Sequence, residues 1–413
     1  MKANQNILIL TYWSFKDALI QTYTLPYVKI IRKIISKKSR IILFTYESSY
    51  FRMPKEDWKN EVQENEKIGI ELKKAQYRNF GFFAVFLNIL TFVRLWFLII
   101  FNRIKVIHAF CTPAGAIAWF LKITTGVKLI IDSYEPHAEN MVENGEWDQK
   151  SIAFRILFKL EKKQSRASMA VIATTTGMRD YAKEKYDVSF KNFYIKPSCV
   201  DLELFDPEKF NKSEERKKWE INDDAILGIY IGKFGGIYLE DEFFELVNAS
   251  QEYWKDKSYI FICTDRDLNW INEKIEKFNL NGEKIKAISY VPHHTVPALL
   301  SMADYGINPV KPVQTKRYCT SIKDGEYWAM GLPVIITPNI SDDSQIIKEN
   351  KIGSVINEFT EKGYMSSIID IDQILNSKND NLKSKIRQFA KNLRSFENAR
   401  IIYNDLYNKT IIK

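Results

Sequence analysis

The sequence predicts an α/β protein built on doubly wound parallel sheets. Short apolar runs alternate with longer amphipathic segments along most of the 413 residues. Such runs are typical of strands buried on both faces of a parallel sheet, and the alternation is typical of βαβ units. A chain of this length is long enough for two domains with full-sized cores.

Composition and charge narrow the functional classes. A formal net charge of +9 favours an anionic partner, such as a phosphorylated ligand, an acidic membrane surface or nucleic acid. Because the sequence lacks helix-turn-helix, zinc and RNA-recognition signatures, we expect no nucleic-acid partner. The four cysteines are far apart and show no metal spacing, which indicates reduced thiols and a cytoplasmic protein. The apolar run Ile7–Thr11 is too short for a signal peptide.

The first half of the chain contains six predicted strands and six predicted helices. We expect strands at Asn6–Thr11, Arg40–Phe44, Gly69–Leu72, Lys105–Ala109, Lys128–Asp132 and Ala170–Ala173. We expect helices at Leu19–Lys38, Lys55–Lys67, Phe82–Phe101, Pro113–Ile123, Ile152–Arg166 and Thr176–Lys185. Ligands of such sheets bind beyond the carboxyl ends of the strands, here at Tyr12–Phe15, Cys111–Gly115 and Ser133–His137.

The predicted helix Phe82–Phe101 has the length of a membrane span but carries Asn88 and Arg94. A charge near the centre of a span is costly in lipid. Basic residues flank the segment at Arg78, Arg103 and Lys105. These features favour an amphipathic helix lying in the membrane interface over a span. The alternative is a helix buried between the sheet and its neighbours.

The dense charge of Asn211–Trp219 indicates a linker, and we place a domain boundary near residues 203–222. A second α/β set follows. Its predicted strands are Ala225–Ile231, Tyr259–Cys263, Ile285–Tyr290, Tyr305–Pro309 and Val334–Ile336. Its predicted helices are Glu240–Tyr253, Leu268–Phe278, Val296–Ala303 and Ser344–Asn350, and the tail Ile386–Leu406 is predicted as one long helix.

Thr320–Ile336 predicts a loop, a helix and a strand, with Ser321 as a helix-capping residue type. The start of a helix offers unpaired amides and a positive dipole end, which together bind anions. Lys323 adds a charge there, and Glu326, one turn on, suits the hydroxyl groups of a ribose. The segment therefore suits a nucleotide diphosphate, with an ordinary surface helix as the alternative. Gly232–Gly236 is a second glycine-rich turn, in which Lys233 suits a phosphate; a plain turn is again the alternative.

These segments, taken in order, resemble the retaining GT-B-fold glycosyltransferases of family 4. The motifs that carry the resemblance are Lys105–Ala109 with Gly115, Lys196–Asp201 with Phe205, Tyr230–Phe234, Val291–Pro309 and Lys323–Ile335. The resemblance implies two Rossmann-like domains facing a central cleft. Residues 1–205 would bind the acceptor, residues 206–389 would bind the donor, and a final helix from about 390 to 413 would pack back on the first domain.

The resemblance also implies site residues. A UDP- or GDP-sugar would be the donor, with no metal or other cofactor. Glu326 would bind the ribose, and Val291 and Thr264 would lie at the base. The diphosphate would contact Lys233, Lys323, Gly232, Ser321 and Ile322. Either Glu135 or His137, at the end of a predicted strand, would face the donor sugar, where a carboxylate steadies a cationic carbon and a histidine relays a proton. His293 and His294 are expected to be structural, and His108 is expected to support the sheet.

The sequence departs from the family pattern in four places. Cys319 replaces a common acidic residue, and Tyr238-Leu239 replaces a Lys-Gly pair that binds phosphate. Tyr12–Asp17 stands where a glycine-rich loop is common, and Ser198-Cys199 replaces Asn-Gly.

We expect a hexose-transferring enzyme that uses a nucleotide sugar to extend a surface polysaccharide or lipid-linked glycan. It would be cytoplasmic, with peripheral contact to an anionic membrane at the inner face of the cell membrane. Two alternatives are a nucleotide-sugar epimerase of similar fold and a non-enzymatic, basic membrane-associated scaffold.

Overall fold

The structure is a computed structural model that describes residues 5–78, 82–377 and 381–410. The chain divides into two compact units. Unit 1 comprises Met1–Pro197 and Phe396–Lys413, and unit 2 comprises Ser198–Ser395. Each unit has its own parallel sheet with helices around it, and this architecture confirms the predicted α/β class.

Unit 1 contains, among its described residues, a seven-stranded sheet in the order β3-β2-β1-β4-β5-β6-β7. The strands are β1 Asn6–Leu10, β2 Ile41–Glu47, β3 Ile70–Gln76, β4 Ile104–Phe110, β5 Lys128–Tyr134, β6 Ala170–Ala173 and β7 Phe193–Ile195. The helices are α1 Leu25–Ile34, α2 Lys55–Lys67, α3 Phe82–Phe101, α4 Thr112–Thr125, α5 His137–Glu143, α6 Ile152–Ala167 and α7 Met178–Tyr186. The apolar runs place β1 and β2 in the core, where the pattern predicted them.

Unit 2 contains, in its described part, a six-stranded sheet in the order β10-β9-β8-β11-β12-β13. The strands are β8 Ile226–Ile231, β9 Ser258–Cys263, β10 Ile285–Ile288, β11 Tyr305–Asn308, β12 Val334–Ile336 and β13 Gly353–Val355. The helices are α8 Lys212–Lys217, α9 Asp241–Trp254, α10 Leu268–Lys277, α11 Val296–Ser301, α12 Ile322–Ala329, α13 Asp343–Asn350, α14 Glu361–Leu375 and α15 Leu382–Leu393.

The charged run Asn211–Trp219 is not a linker, contrary to the prediction. It forms α8, and Arg216 is 1% exposed. The Arg216 guanidinium donates to the carbonyls of Met302 and Ala225 and pairs with Asp304 at 2.6 Å. These partners satisfy the buried guanidinium of Arg216 and hold the otherwise largely exposed α8 against unit 2.

The predicted single tail helix is wrong in one respect, because the structure breaks it at Arg394 and Ser395 into α15 and α16 (Phe396–Asp405). Arg394 is buried, donates to the carbonyl of Ser198 at 3.1 Å and pairs with Asp343. The Arg394 carbonyl accepts from the amide of Val200 at 2.7 Å. These contacts take the carbonyl of Arg394 out of the helical pattern, and the chain re-enters unit 1 at Phe396.

A buried polar cluster joins α16 to the sheet of unit 1. Asp132 of β5 lies 3.3 Å from the Lys196 ammonium and 3.2 Å from His108 Nε2, and it accepts from the Tyr403 hydroxyl at 2.6 Å. His108 Nδ1 lies 2.7 Å from the Tyr407 hydroxyl, so His108 does support the sheet. Burial raises the pKa of Asp132, but Lys196 and the hydrogen bonds outweigh burial and leave that pKa below its usual value.

Candidate functional site

The loops that follow the strands of unit 2 bring together most of the predicted donor-site residues. β8, β9 and β10 are parallel, so their carboxyl ends lie along one edge of the sheet. The amide of Gly232 donates to the Cys263 carbonyl at 2.9 Å, and the amide of Thr264 donates to the Ile288 carbonyl at 3.1 Å. Gly232 and Thr264 therefore lie side by side, at the edge where parallel sheets bind ligands.

Lys323 approaches the same edge from α12. A Cβ added at Gly232 would lie 3.0 Å from the Lys323 ammonium, so only glycine leaves that space open. The ammonium also lies 3.7 Å from the centroid of the Tyr238 ring and 5.5 Å from that of Tyr230. The structure thus brings Gly232 and Lys323 together, as the sequence predicted for a diphosphate site.

Tyr238 is a site residue that the sequence analysis did not identify. It stands where the family pattern led us to expect a second phosphate-binding lysine. A ring face beneath an ammonium attracts it through the ring quadrupole, so Tyr238 holds the Lys323 ammonium and adds no charge of its own. The only signal in the sequence was the departure itself, because the ring contact depends on the fold.

Lys233 follows β8 as predicted, but its ammonium turns toward a carboxylate. Its nitrogen lies 3.8 Å from Asp265 Oδ2, and both side chains are exposed. The Lys233 carbonyl accepts a hydrogen bond from the Tyr230 hydroxyl, which fixes the backbone of the turn. The main chain of Lys233 is therefore part of the site, while its charge is shared with Asp265.

The first turn of α12 supplies the predicted anion-binding amides. Ser321 is the residue before the helix, with extended backbone angles, and its side chain makes no capping hydrogen bond. Ile322 and Lys323 are the first two helical residues, and amides at such positions lack acceptors within a helix. Thr320 Oγ1 accepts from the Ser198 amide at 2.9 Å, which anchors the start of this turn.

A buried carboxyl group lies within this turn. Asp324 is fully buried, and Asn308 Nδ2 donates to its Oδ1 at 2.7 Å. Burial, followed by the charge of Asp343, raises the pKa of Asp324 well above its usual range, although Arg394 opposes the change. Burial therefore favours the uncharged form of the Asp324 carboxyl, and the uncharged form would not repel an anion bound at the start of α12.

Glu326 lies one turn into α12 with its side chain 10% exposed, and its Oε1 is 2.7 Å from His293 Nε2. The Phe205 ring packs against the imidazole at 5.3 Å between centroids. Burial lowers the pKa of His293, but the hydrogen bond and charge of Glu326, with a contribution from Asp201, outweigh burial and raise that pKa overall. His293, which we expected to be structural, holds one oxygen of the predicted ribose-binding carboxylate.

Thr264 and Val291 are the two residues predicted to lie at the nucleotide base. Thr264 is buried directly after β9, and its hydroxyl accepts from the amide of Arg266 at 3.4 Å. Val291 is partly buried and packs on the core of unit 2 after β10. His294 is exposed beside the partly buried His293.

In unit 1 the two predicted catalytic candidates contact each other. His137 begins α5, and its Nδ1 lies 3.3 Å from Glu135 Oε1, with about a quarter of each side chain exposed. Thr112 Oγ1 donates to the Glu135 carbonyl at 2.8 Å and fixes the loop after β5. A carboxylate beside an imidazole is an arrangement that can relay a proton or stabilise a developing positive charge.

Glu161 is a buried acid near this pair that the sequence analysis missed. Its Oε1 accepts from the amide of Ala138 at 2.9 Å, and its Oε2 accepts from the Tyr186 hydroxyl at 2.8 Å. Burial raises the pKa of Glu161 to about 7, although both hydrogen bonds and the charge of His137 oppose the change. The sequence pattern of α6 did not indicate this role, because it shows only an acidic residue on the buried face of the helix.

Comparison with known proteins identifies the fold. The sequence profile of the glucosyltransferase 3-like C-terminal domain matches residues 263–402, which lie mostly in unit 2. A sequence search of curated proteins found no match.

Three solved structures are similar over nearly the whole chain. A glycosyltransferase from Rickettsia africae is 14% identical, with TM-score 0.71 and 99% of both chains covered. Anabaena HepE in complex with UDP-glucose is 11% identical, with TM-score 0.69 and coverage of 99% of this chain and 100% of HepE. WaaG, a glycosyltransferase of lipopolysaccharide biosynthesis, is 15% identical, with TM-score 0.67 and coverage of 96% and 99%. The fold is therefore that of GT-B glycosyltransferases, with two Rossmann-like parallel α/β units.

Proposed function

We propose that this protein is a glycosyltransferase that transfers a hexose from a UDP-sugar to an acceptor hydroxyl. The observation that carries the proposal is the position of the Lys323 ammonium beside Gly232, at the first turn of α12, with Glu326 one turn further on. The likeness to HepE, a protein solved with UDP-glucose, supports UDP over GDP as the nucleotide. Assignment to the retaining family 4 rests on the motif resemblance.

The proposed donor site acts mainly on the pyrophosphate. As the bond to the sugar breaks, negative charge develops on the leaving diphosphate. Lys323 would supply a positive charge where the diphosphate would lie, and the amides of Ile322 and Lys323 would supply hydrogen-bond donors. Because these groups match the charge of the leaving group, we propose that transfer needs no metal ion.

The remaining assignments follow from the contacts of each residue. Glu326 would accept hydrogen bonds from the ribose hydroxyls through Oε2, because its Oε1 contacts His293. The Glu135–His137 pair would act on the donor sugar as it gains positive charge. Unit 2 would take the donor and unit 1 the acceptor. We propose a glycan or lipid-linked acceptor at the cytoplasmic face of a membrane; the likeness to WaaG, a glycosyltransferase involved in lipopolysaccharide biosynthesis, supports an acceptor of this kind.

Donor binding tests the proposal directly. Thermal unfolding of the purified protein would be followed with UDP, GDP and a panel of UDP- and GDP-hexoses. A hydrogen bond that involves a charged group contributes about 1.5–3 kcal/mol to the free energy of binding. Lys323→Met and Glu326→Gln should therefore each weaken UDP binding roughly 10- to 100-fold. Lys348→Met and Glu349→Gln, at exposed positions on α13 of the same unit, are the matched controls.

Two results would contradict the proposal: no stabilisation by any nucleotide sugar, or equal UDP affinity for Lys323→Met and Lys348→Met. Unchanged donor hydrolysis after chelation with EDTA would support the metal-independent reaction. Turnover of UDP-N-acetylglucosamine to its epimer without an acceptor would instead favour the epimerase.

A further inference from the structure

One side of α3 is an exposed stripe of apolar side chains. Its exposed members are Ile89, Leu90, Val93, Phe97, Ile100 and Phe101. Leu95 and Ile99 are buried on the opposite side, where α3 packs against β4 and α4. The exposed residues recur every three or four positions, which is the spacing of one helix face. The helix therefore has two apolar sides, and the described residues of unit 1 cover one of them.

The apolar surface continues onto the neighbouring helices. α3 packs against α4, and α4 packs against α6. All three helices lie on one face of the sheet, because the crossovers from β3 to β4, from β4 to β5 and from β5 to β6 run in the same direction across the sheet and such crossovers are right-handed. Phe120 and Ile123 are exposed on α4, and Ile152 and Ile156 are exposed on α6. Together with the α3 stripe they form what we call the α3–α4–α6 surface.

Most charged residues on the helices of this surface are basic, although Glu146 and Asp148 are exposed just before α6. The sequence has no Asp or Glu between Glu71 and Asp132, whereas that stretch contains eight cations. They are Lys73, Lys74, Arg78, Arg94, Arg103, Lys105, Lys122 and Lys128. On α6, Arg155, Lys159 and Lys163 are exposed, and the one acid of that helix, Glu161, is buried.

A basic and an aromatic residue of this surface are also in direct contact. The Lys163 ammonium of α6 lies 4.8 Å from the centroid of the Trp119 ring on α4, next to exposed Phe120. Lysines and aromatic rings side by side are typical of surfaces that lie at the headgroup level of a bilayer. Among the described residues, no helix is long and apolar enough to cross a membrane.

We propose that the α3–α4–α6 surface docks on a bilayer that contains anionic phospholipids, with α3 lying in the interface. The apolar stripe would enter the boundary between headgroups and acyl chains, and the surrounding cations would contact lipid phosphates. A second copy of the chain would place cations against cations, and a nucleic acid would gain little from the stripe. Every residue of the surface belongs to unit 1, so the proposal does not depend on the donor site of unit 2.

Vesicle flotation tests the docking. The full chain would be mixed with phosphatidylcholine vesicles, with and without phosphatidylglycerol, at low and high salt. Wild type should float with the anionic vesicles and be partly released by high salt, which screens the cations. Ile123→Asp on α4 should reduce the bound fraction about tenfold, because it places a negative charge in the apolar part of the α3–α4–α6 surface.

The matched control is Ile401→Asp on α16. Ile123 and Ile401 are each 57% exposed in unit 1, but α16 packs on α1 instead of on α4. Ile401→Asp should bind vesicles like wild type. Phe101→Asp, on α3, is a second variant, and unchanged circular dichroism would show that each variant is folded.

Three outcomes would overturn the proposal. The first is equal flotation of Ile123→Asp, Phe101→Asp and wild type. The second is binding that is equally weak to both kinds of vesicle. The third is a wild-type dimer that Ile123→Asp converts to a monomer, without any vesicle binding, which would assign the surface to a second copy. None of these measurements uses a sugar donor, so they leave the proposed transferase activity untouched.

Discussion

The contact between His293 and Glu326 predicts a pH-dependent stability that one substitution should remove. His293→Gln keeps a side chain of similar length whose amide can still donate to Glu326, but it removes the titratable imidazole. Glu326 Oε1 lies 2.7 Å from His293 Nε2, so the protonated histidine makes a charge-assisted hydrogen bond. His294 is exposed next to it, and His294→Gln is the matched control.

The size of the effect follows from the geometry. A hydrogen bond to a charged group contributes about 1.5–3 kcal/mol. Because the His293 side chain is 37% exposed, solvent screening reduces our expectation to about 1 kcal/mol. In a unit of this size that loss corresponds to a fall of about 2–4 °C in melting temperature.

The sign follows from the raised pKa of His293. Folding favours the protonated form, so the contribution is fully present below the unfolded pKa of about 6.5 and is lost as pH rises through the higher folded pKa. Calorimetric melting of wild type and both variants at about pH 6 and about pH 9 measures this difference. His293→Gln should melt below wild type at the lower pH, and the gap should narrow at the higher pH. A gap that does not change with pH, or one that His294→Gln reproduces, would refute the reasoning.

Three further predictions concern buried or partly buried groups. Asp132→Asn leaves the buried Lys196 ammonium without its counter-charge and should lower the free energy of unfolding by about 3–5 kcal/mol in urea titration; a loss well below that range would contradict the assignment. The pKa of Glu161 is raised to about 7, so its contribution to stability is present below about pH 4.3 and is lost as pH rises through 7. Glu161→Gln does not titrate, so its stability relative to wild type should increase between about pH 5 and pH 8. Chemical denaturation across this pH range measures the difference. Tyr238→Leu removes the ring beneath Lys323 and should weaken UDP binding about two- to fivefold, whereas Tyr238→Phe keeps the ring and the affinity; equal affinities in a calorimetric titration would contradict the cation–π role.

The fold was largely predictable because its signals are local. Strand β5 and helices α2 and α3 follow directly from runs of residue types in the sequence. The exceptions are places where distant partners decide the local structure. Arg394 breaks the predicted tail helix because Ser198 and Asp343, far away in the chain, hold it.

The site was predictable as residue types but not as contacts. Lys323, Glu326 and Gly232 were identified from spacing and resemblance, since helix starts and glycine turns leave a local pattern. The partner of Glu326 was not identified, because His293 lies 33 positions away and a His-His pair in the sequence does not indicate what it contacts. The raised pKa of Asp324 likewise depends on burial and on Asp343, neither of which the sequence shows.

The return of the chain to unit 1 has a consequence for biosynthesis. Tyr403 and Tyr407 complete the polar cluster around Asp132, yet they are synthesised after all of unit 2. At about 5–20 residues per second, the ribosome needs roughly 10–40 s to make the intervening residues. During that delay the first sheet lacks α16. The buried charges of Lys196 and Asp132 are therefore without the hydroxyl groups of Tyr403 and Tyr407 until translation is nearly complete.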